Sequence, residues 1–221
     1  MVSPKSILGL LAVLTVSAGS ARAVDLMSFS FSDLLSSYDG ASLLDVTNDG
    51  NSDGELTRLV PVSNDAFFAG ADGSFDIGMT ISGVDDESAT GVGTLTFTDA
   101  DGDIFSGNLM GAWVNVNGSA NFVGQIMNFM PDSSGGNGQF DGTVSGSFDM
   151  DLGVAPPFSG NIITLVFGSW FNDGNGDNND GIGSLASFEA PTTQAIGAIV
   201  PEPATLALLA LGALVAGRRR S

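Results

Sequence analysis

The sequence contains no cysteine and no histidine. Without cysteine, no disulfide bond stabilises the fold, so stability has to come from packing, helped by bound ions. Without histidine, the chain has no Ser-His-Asp or Cys-His catalytic constellation and none of the usual zinc sites. The enzymatic alternative that remains is a pair of carboxylates of the glycosidase kind. We therefore expect a protein that is not an enzyme.

Basic residues are scarce: the chain has 6 Lys and Arg against 25 Asp and Glu. Between residues 24 and 200 the only basic residue is Arg58, against 24 acidic residues, which gives this part a net charge of about −23. Such a charge repels nucleic acids and anionic lipid surfaces. We therefore predict no nucleic-acid partner. The charge favours solubility, cation binding or a place in a hydrated matrix.

The N-terminal residues have the three parts of a secretory signal. Lys5 precedes an apolar run from Ile7 to Val16, and Ala21-Arg22-Ala23 supplies the small residues that a signal peptidase reads. This order predicts a signal peptide over residues 1–23 that is cleaved after Ala23. The rest of the chain is then exported.

The C-terminal 22 residues also have three parts. Val200-Pro201-Glu202-Pro203 is expected to be extended and accessible, because each proline fixes its own φ and disfavours α geometry before it. An Ala/Leu-rich run follows, which predicts a transmembrane helix over residues 204–217. Arg218, Arg219 and Arg220 supply the cationic flank that holds the end of a membrane segment in the cytoplasm.

An ordinary C-terminal core helix is the alternative, because 204–217 is shorter than the roughly 20 residues of a typical span. A helix that is apolar on every face and ends in three arginines fits a soluble core badly, however.

This layout resembles the PEP-CTERM sorting signal of Gram-negative bacteria in its Pro201-Glu202-Pro203 motif, its apolar run and its three terminal arginines. The resemblance implies that an exosortase, a membrane-embedded peptidase, recognises the motif and removes the tail. It further implies that the protein is anchored in the inner membrane before processing and then belongs to the cell envelope or the extracellular space. The resemblance covers residues 200–221 and concerns delivery, not the activity of the delivered domain.

The intervening residues 24–188 predict an all-β domain, followed by a linker over residues 189–199. In Phe75–Ser82 and in 140–152 apolar residues alternate with polar ones, which is typical of strands buried on one face. Strands separated by Gly/Asn/Asp turns predict an antiparallel meander that forms a β-sandwich or a barrel-like sheet. Residues 161–170 are apolar on both faces, which predicts a central strand covered from both sides.

A helix is weakly indicated in one place, around Asp33 to Tyr38.

A repeated motif, Phe-x-Gly-x-aliphatic, begins at Phe105, Phe122, Phe140 and Phe158. The spacing is close to the length of one hairpin, so we expect alternate strands of the meander to carry the motif. The glycine between two bulky residues is expected to leave space for a neighbouring aromatic ring or to mark a bend.

Three acidic loops have the spacing of calcium ligands. The first has Asp49, Asn51 and Asp53 before a glycine; the other two comprise Asp173, Asn175 and Asp177, and Asp99, Asp101 and Asp103. Oxygens at positions 1, 3 and 5 of such a loop converge on one Ca²⁺ ion. The first loop is not an EF-hand, because Val60 stands where the bidentate Glu belongs. The alternative for each loop is an ordinary turn, since Asn, Asp and Gly are the usual turn residues.

Two functional hypotheses follow. The first is a structural or interaction protein of a biofilm or extracellular polysaccharide, sorted by an exosortase. The second is a carbohydrate-binding module with Ca²⁺-stabilised acidic loops, in which Trp113 or Trp170 lies on an exposed face and stacks on a sugar. The interpretation that we favour for both tryptophans is that they are core or rim aromatics. A glycosidase that uses two carboxylates is a third alternative.

Overall fold

The computed structural model describes residues 25–59, 65–132, 136–141, 156–168, 170–171 and 187–201. These residues form ten β-strands: β1 Met27–Tyr38, β2 Leu43–Thr47, β3 Asp53–Arg58, β4 Asp65–Phe68, β5 Gly73–Ser82, β6 Ser88–Asp99, β7 Ile104–Val116, β8 Ser119–Asp132, β9 Phe158–Val166 and β10 Phe188–Pro201. Within these ranges there is no helix, and hence none with the length and hydropathy needed to cross a membrane.

Eight of the strands close into an antiparallel barrel. Around the wall the order is β10-β9-β8-β7-β6-β5-β2-β1, and β1 pairs with β10 to complete the ring. Strands β5 to β10 follow one another around this wall, so the predicted all-β meander is confirmed and the sheet is a barrel. The first half of β1 pairs with β3 and the second half with β2, while β4 pairs with β3.

Alternating side chains build the wall. In β5 the predicted pattern is confirmed, because Phe75, Ile77, Met79 and Ile81 are all buried. The longest pair, β7 and β8, is joined by Asn117 and Gly118, which both have positive φ, at 54° and 86°. An Asn-Gly turn of this kind matches the twist of the two strands that it joins.

Strand β1 replaces the helix that was expected around Asp33 to Tyr38, so that prediction is wrong. Phe29 and Phe31 point into the barrel at the strand period of two, but the next buried residue is Leu34. Asp33, with φ of 54°, lies where the register between β1 and β10 shifts, and an extra residue at such a bulge reverses the inward parity of the strand. The bulge therefore hides the strand period in the sequence.

Strand β10 occupies the predicted linker, so the assignment of residues 189–199 to a spacer is wrong. The strand pairs with β9 on one side and with β1 on the other, and both Ala195 and Ile199 are fully buried. Thr and Pro residues near Pro191 gave this segment the composition of a linker. The domain therefore extends to Pro201, and its last strand closes the barrel.

Strand β9 lies in the segment predicted as a central strand, but it is covered on one face only. Ile162 is buried, whereas Ile163 is 53% exposed. The prediction of cover on both sides is therefore wrong, because a barrel wall has one interior face. The strand predicted over 140–152 lies almost wholly outside the described residues. Of that segment, Phe140 is buried against Phe67 and Phe105, with ring centroids 5.1 and 5.6 Å away.

Aromatic side chains fill the barrel. A first cluster lies around Phe97, whose ring contacts Phe29, Phe31, Phe67, Phe75 and Phe129. A second surrounds Phe171, which contacts Tyr38, Trp113, Trp170 and Phe188. Trp113 and Trp170 are 1% and 2% exposed, so their interpretation as core aromatics is confirmed and their placement on a sugar-stacking face is wrong. Small barrels are commonly filled by side chains in this way.

The repeated motif lies on consecutive strands, not on alternate ones as predicted. Its copies at Phe105, Phe122 and Phe158 belong to β7, β8 and β9, which are neighbours in the wall. The copy at Phe140 begins within residues 136–141 and continues into residues that the structure does not describe.

The expected role is confirmed for two of the motif glycines, Gly107 and Gly124, each of which faces an aromatic ring; a Cβ atom at Gly107 would lie 2.9 Å from the ring of Phe129. At Gly160 a Cβ atom would instead meet the backbone oxygen of Ala198, and Gly142 lies outside the described residues. Gly91, Gly111 and Gly124 are directly opposite one another across β6, β7 and β8. A Cβ atom at Gly124 would overlap the ring of Phe122, and one at Gly111 would lie 2.7 Å from the same ring. The row of three glycines is therefore the space that the Phe122 ring occupies.

Candidate functional site

The C-terminal motif begins inside the barrel wall. Val200 and Pro201 are the last residues of β10, where they lie opposite Ser159 and Phe158 of β9 and are half-buried. Their predicted extended conformation is confirmed, but they are less accessible than predicted, because they pair with β9. Glu202, Pro203, the predicted helix 204–217 and the arginines at 218–220 lie outside the described residues.

No spacer separates the core from this motif. Ile199, immediately before it, is fully buried, and its carbonyl oxygen accepts a hydrogen bond of 2.7 Å from the backbone N–H of Leu26. The last core residue and the first motif residue are thus neighbours in the chain.

The chain leaves the barrel at its acidic end. Because neighbouring strands are antiparallel, the end of β10 lies at the same end of the barrel as the start of β9, the end of β8, the start of β7 and the end of β6. The turn between β6 and β7 carries Asp99, Asp101 and Asp103. The exit at Pro201 and this acidic turn are therefore at one end of the molecule.

Three carboxylates converge at this end. Each of Asp99, Asp101 and Asp141 offers an oxygen within 4.8 Å of the other two, and this is the group of three that the described residues form. Asp99 is buried and organises the turn: Oδ1 accepts hydrogen bonds from the N–H groups of Gly102 and Asp103, and Oδ2 accepts one from that of Asp141.

Asp103 holds a second loop against the same turn. It is 1% exposed, and its Oδ2 accepts hydrogen bonds of 3.0, 3.0 and 3.2 Å from the N–H groups of Asn137, Gly138 and Gln139. Its Oδ1 is buried without a hydrogen-bond partner in the described structure. At Gly136, a Cβ atom would lie 2.9 Å from Asp101 Oδ1, so the loop approaches both carboxylates closely.

Burial is the main reason why the pKa of Asp99 is raised, and the hydrogen bond and charge of Asp101 raise it further. The hydrogen bonds from the backbone of Asp141 and Asp103 act in the opposite direction. A divalent cation between these carboxylates would favour their ionised forms. All the donors are oxygens, the set that Ca²⁺ prefers, and the unpaired Oδ1 of Asp103 is the kind of atom that a cation would satisfy.

Neither of the other two predicted calcium loops shows converging carboxylates among the described residues. Asp49 Oδ1 accepts a hydrogen bond of 2.7 Å from the N–H of Asn51, and Asp53 Oδ1 accepts one of 2.8 Å from that of Gly54. These are the contacts of ordinary turns, and within the described ranges neither aspartate joins a group of three acidic residues. Asp173, Asn175 and Asp177 lie outside those ranges.

The sequence pattern found the loop of Asp99, Asp101 and Asp103 but missed Asp141. This residue comes about 40 positions later in the chain, so no local spacing relates it to the turn. The nearest available signal in the sequence was the glycine-rich stretch that precedes it.

Residues 200–221 match the PEP-CTERM protein-sorting motif. The match implies an exported protein that is anchored in the membrane and then processed by an exosortase. No curated protein and no solved structure matches the chain.

Proposed function

We propose that this exosortase substrate is a structural or interaction protein of the extracellular polymer or biofilm, and that the acidic barrel is the cargo. The observation that carries the proposal is the continuity between the closing strand and the sorting motif, which both include Val200 and Pro201. In this arrangement the sorting tail delivers a domain that is folded up to the motif itself.

A role without catalysis has support from the residues available. The sequence has no histidine, and aromatic side chains fill the barrel interior, where many barrels hold a ligand. The carbohydrate-binding alternative has no exposed tryptophan to use, because Trp113 and Trp170 are both buried in the core. Partly exposed Phe68 and Phe167, at 43% and 44%, are the aromatic surfaces left to it among the described residues.

Processing is tested in the native cells by mass spectrometry of the C-terminus. Substituting both Pro201 and Pro203 with Ala should abolish removal of the tail and leave the full-length C-terminus in the membrane fraction. The matched control is Pro191→Ala, which changes an exposed proline of the same strand outside the motif. Normal removal of the tail from the double variant would contradict sorting through this motif.

The matrix role is tested by deleting the protein from its host and measuring the mass of biofilm and of extracellular polysaccharide. We expect a loss that the wild-type chain restores and that the Pro201/Pro203 variant does not. Unchanged biofilm and polysaccharide after deletion would contradict the matrix role while leaving the sorting result untouched.

We also propose that Ca²⁺ binds at the acidic exit end, through Asp99, Asp101 and Asp141. Support comes from their convergence and from the absence of lysine and histidine between residues 24 and 200. Millimolar Ca²⁺ should raise the Tm of the full chain in detergent above its value in EDTA. Asp101→Asn removes an exposed member of the group and should reduce this shift, whereas Asp45→Asn on β2 should not. Equal Tm values in Ca²⁺ and EDTA would exclude the site.

A further inference from the structure

One side of this acidic barrel has almost no charge. Strands β7 and β9 contain no charged residue. Strands β6, β8 and β10 contain one each, at or next to a strand end: Asp99, Asp132 and Glu189. By contrast, β1, β2, β3 and β5 each have a charged side chain inside the strand: Asp33, Asp45, Glu55 and Asp76. We call the outer face of β6 to β10 the neutral wall.

Exposed aliphatic side chains form a continuous row on the neutral wall. Val123, Ile163 and Ile196 are directly opposite one another on β8, β9 and β10, and they are 57%, 53% and 53% exposed. The row continues on β7 through Ala112, which lies opposite Val123. Contiguous apolar surface of this kind on a soluble domain marks an interaction site more often than scattered residues do.

Met110 and Val92 extend this apolar surface. Met110 lies two residues before Ala112 on the same face of β7 and opposite Val92 of β6, and the two are 52% and 47% exposed. Val114 and Val116 on β7 and Met130 on β8 are exposed on the same face. The other exposed residues near the centre of the wall are uncharged polar ones such as Asn108, Gln125 and Asn161.

The charge distribution indicates which partner fits the wall. Two copies of a domain with a net charge of about −23 repel each other in most orientations, and the repulsion is weakest when their uncharged faces meet. The strands of the neutral wall carry no basic residue for anionic lipid headgroups. The partly exposed ring of Phe167 follows the end of β9, four residues from Ile163, so the row itself has no aromatic platform for a sugar.

The closed ring also limits how copies could associate. In the eight-stranded ring β6 to β10 each have a neighbour on both sides, so copies that meet at the neutral wall have to use its outer face. The five strands are more than half of the ring, so about three of them can face one partner, and at a spacing of about 4.8 Å and a length of about 30 Å these give roughly 400 Å². This is below the ~800 Å² per partner of a standard protein interface and fits a weak, reversible association.

We propose that the neutral wall is the surface through which two copies of this chain associate. This proposal depends on the proposed matrix role only for the biological purpose of the association. It does not depend on processing, so its failure would be distinguishable from failure of the sorting motif.

The first test is the mass of the full chain in detergent, measured by sedimentation equilibrium over a range of protein concentrations. Ile163→Asp places a charge at the centre of the row and should raise the dimer dissociation constant at least tenfold. Leu43→Asp is the matched control, because Leu43 is also 53% exposed but lies on β2, outside the wall; its effect should be less than twofold. The apolar tail is the same in all three proteins.

Salt provides a second readout. Since the wall is uncharged and the rest of the surface is acidic, raising NaCl from about 0.02 M to about 0.5 M should screen the repulsion and lower the dissociation constant. Weaker association at high salt would indicate attraction between charged groups and would overturn the proposal.

A cross-linking test covers the case in which Ile163→Asp fails to fold. The chain has no cysteine, so Ile163→Cys is its single thiol, and oxidation should yield a disulfide-linked dimer that Leu43→Cys does not form. A protein that stays monomeric at all concentrations, with the wall free for a different partner, would overturn the proposal, as would a dimer that the Ile163 variants leave unchanged.

Discussion

At the scale of single residues, the barrel depends on glycines that make room for aromatic rings. Phe122 occupies the space above Gly111 and Gly124, and Trp113 lies beside Gly91, where a Cβ atom would be 2.7 Å from its Nε1. In a closely packed interior, extra atoms at such positions force side chains or backbone to move.

We expect Gly124→Ala to lower the free energy of unfolding by about 1–3 kcal/mol, because its methyl group overlaps the Phe122 ring. Urea denaturation measures the change. Gly50→Ala is the matched control, since nothing lies within 4 Å of a Cβ atom there and Gly50 has no positive φ.

Combining Gly124→Ala with Phe122→Leu should give a smaller loss than the sum of the two single losses, because the shorter side chain vacates the space. Strict additivity of the two substitutions would contradict this packing argument.

Asp39 shows how one carboxylate fixes a turn. Its Oδ1 accepts hydrogen bonds of 2.8, 2.8 and 2.9 Å from the N–H groups of Ala41, Ser42 and Leu43, which join β1 to β2. These bonds, that of Leu43 foremost, lower the pKa of Asp39 below its ordinary value of 3.8. The ionised carboxylate therefore stabilises the fold above that value, and the contribution is lost as pH falls through the lowered pKa.

Asp39→Asn keeps an acceptor oxygen but removes the charge. We expect its free energy of unfolding to lie below that of the wild type at pH 7 and the difference to shrink as the pH falls below 3.8. Urea titrations at a series of pH values measure both curves. A difference that stays constant from pH 7 to pH 2 would contradict a role for the charge.

At the scale of elements, β10 combines structure and delivery. It closes the barrel between β9 and β1, and its last two residues belong to the sorting motif. Peptidases and other peptide-binding proteins commonly bind extended segments through backbone hydrogen bonds. Because Val200 and Pro201 pair with β9, the edge of β10 that faces β9 is occupied, and a peptidase that binds this edge has to separate the end of β10 from the wall.

A disulfide across this end tests the argument. Val200 and Ser159 are directly opposite, so their Cα atoms are about 4.5–5.5 Å apart, within the usual disulfide range. The Val200→Cys, Ser159→Cys variant should be processed at least tenfold more slowly when oxidised and should recover on reduction. Mass spectrometry of the C-terminus over time measures the rate.

The control for this lock is Ala198→Cys with Asn161→Cys, which joins the same strands but leaves the last pair free to separate. Processing of this control should be close to normal. Equal rates for the oxidised and reduced forms of the Val200 variant would show that the strand end does not limit access.

At the scale of the whole molecule, closure of the ring makes its first and last strands interdependent. The core of the barrel includes Phe29 from β1 and Ile199 from β10, at opposite ends of the described chain. In the full chain, replacing Ile199 with Asp should therefore abolish the cooperative unfolding transition, since an unpaired charge would be buried where the ring closes.

Leu43→Asp is the matched control for this prediction. It introduces the same charge at a side chain that is 53% exposed and lies outside the neutral wall, and it should leave thermal unfolding, followed by circular dichroism, nearly unchanged. Retention of a wild-type transition by Ile199→Asp would show that β10 is dispensable for the barrel.

The local pattern determined much of this protein. Residues 200–221 carry a recognisable sorting motif, the alternation in β5 predicted a strand with the right buried face, and the motif glycine at Gly107 and Gly124 faces an aromatic ring as expected. These features depend on neighbouring residues along the chain, so they can be read from it directly.

Tertiary structure decided the rest. The bulge at Asp33 reverses the inward parity of β1, and the Thr/Pro composition near Pro191 conceals a strand that two neighbours hold in place. Asp141 joins Asp99 only because a distant loop folds over the turn. Ring closure, the position of the acidic end and the neutral wall all arise from pairing between strands far apart in sequence, and no local pattern encodes which strands become neighbours.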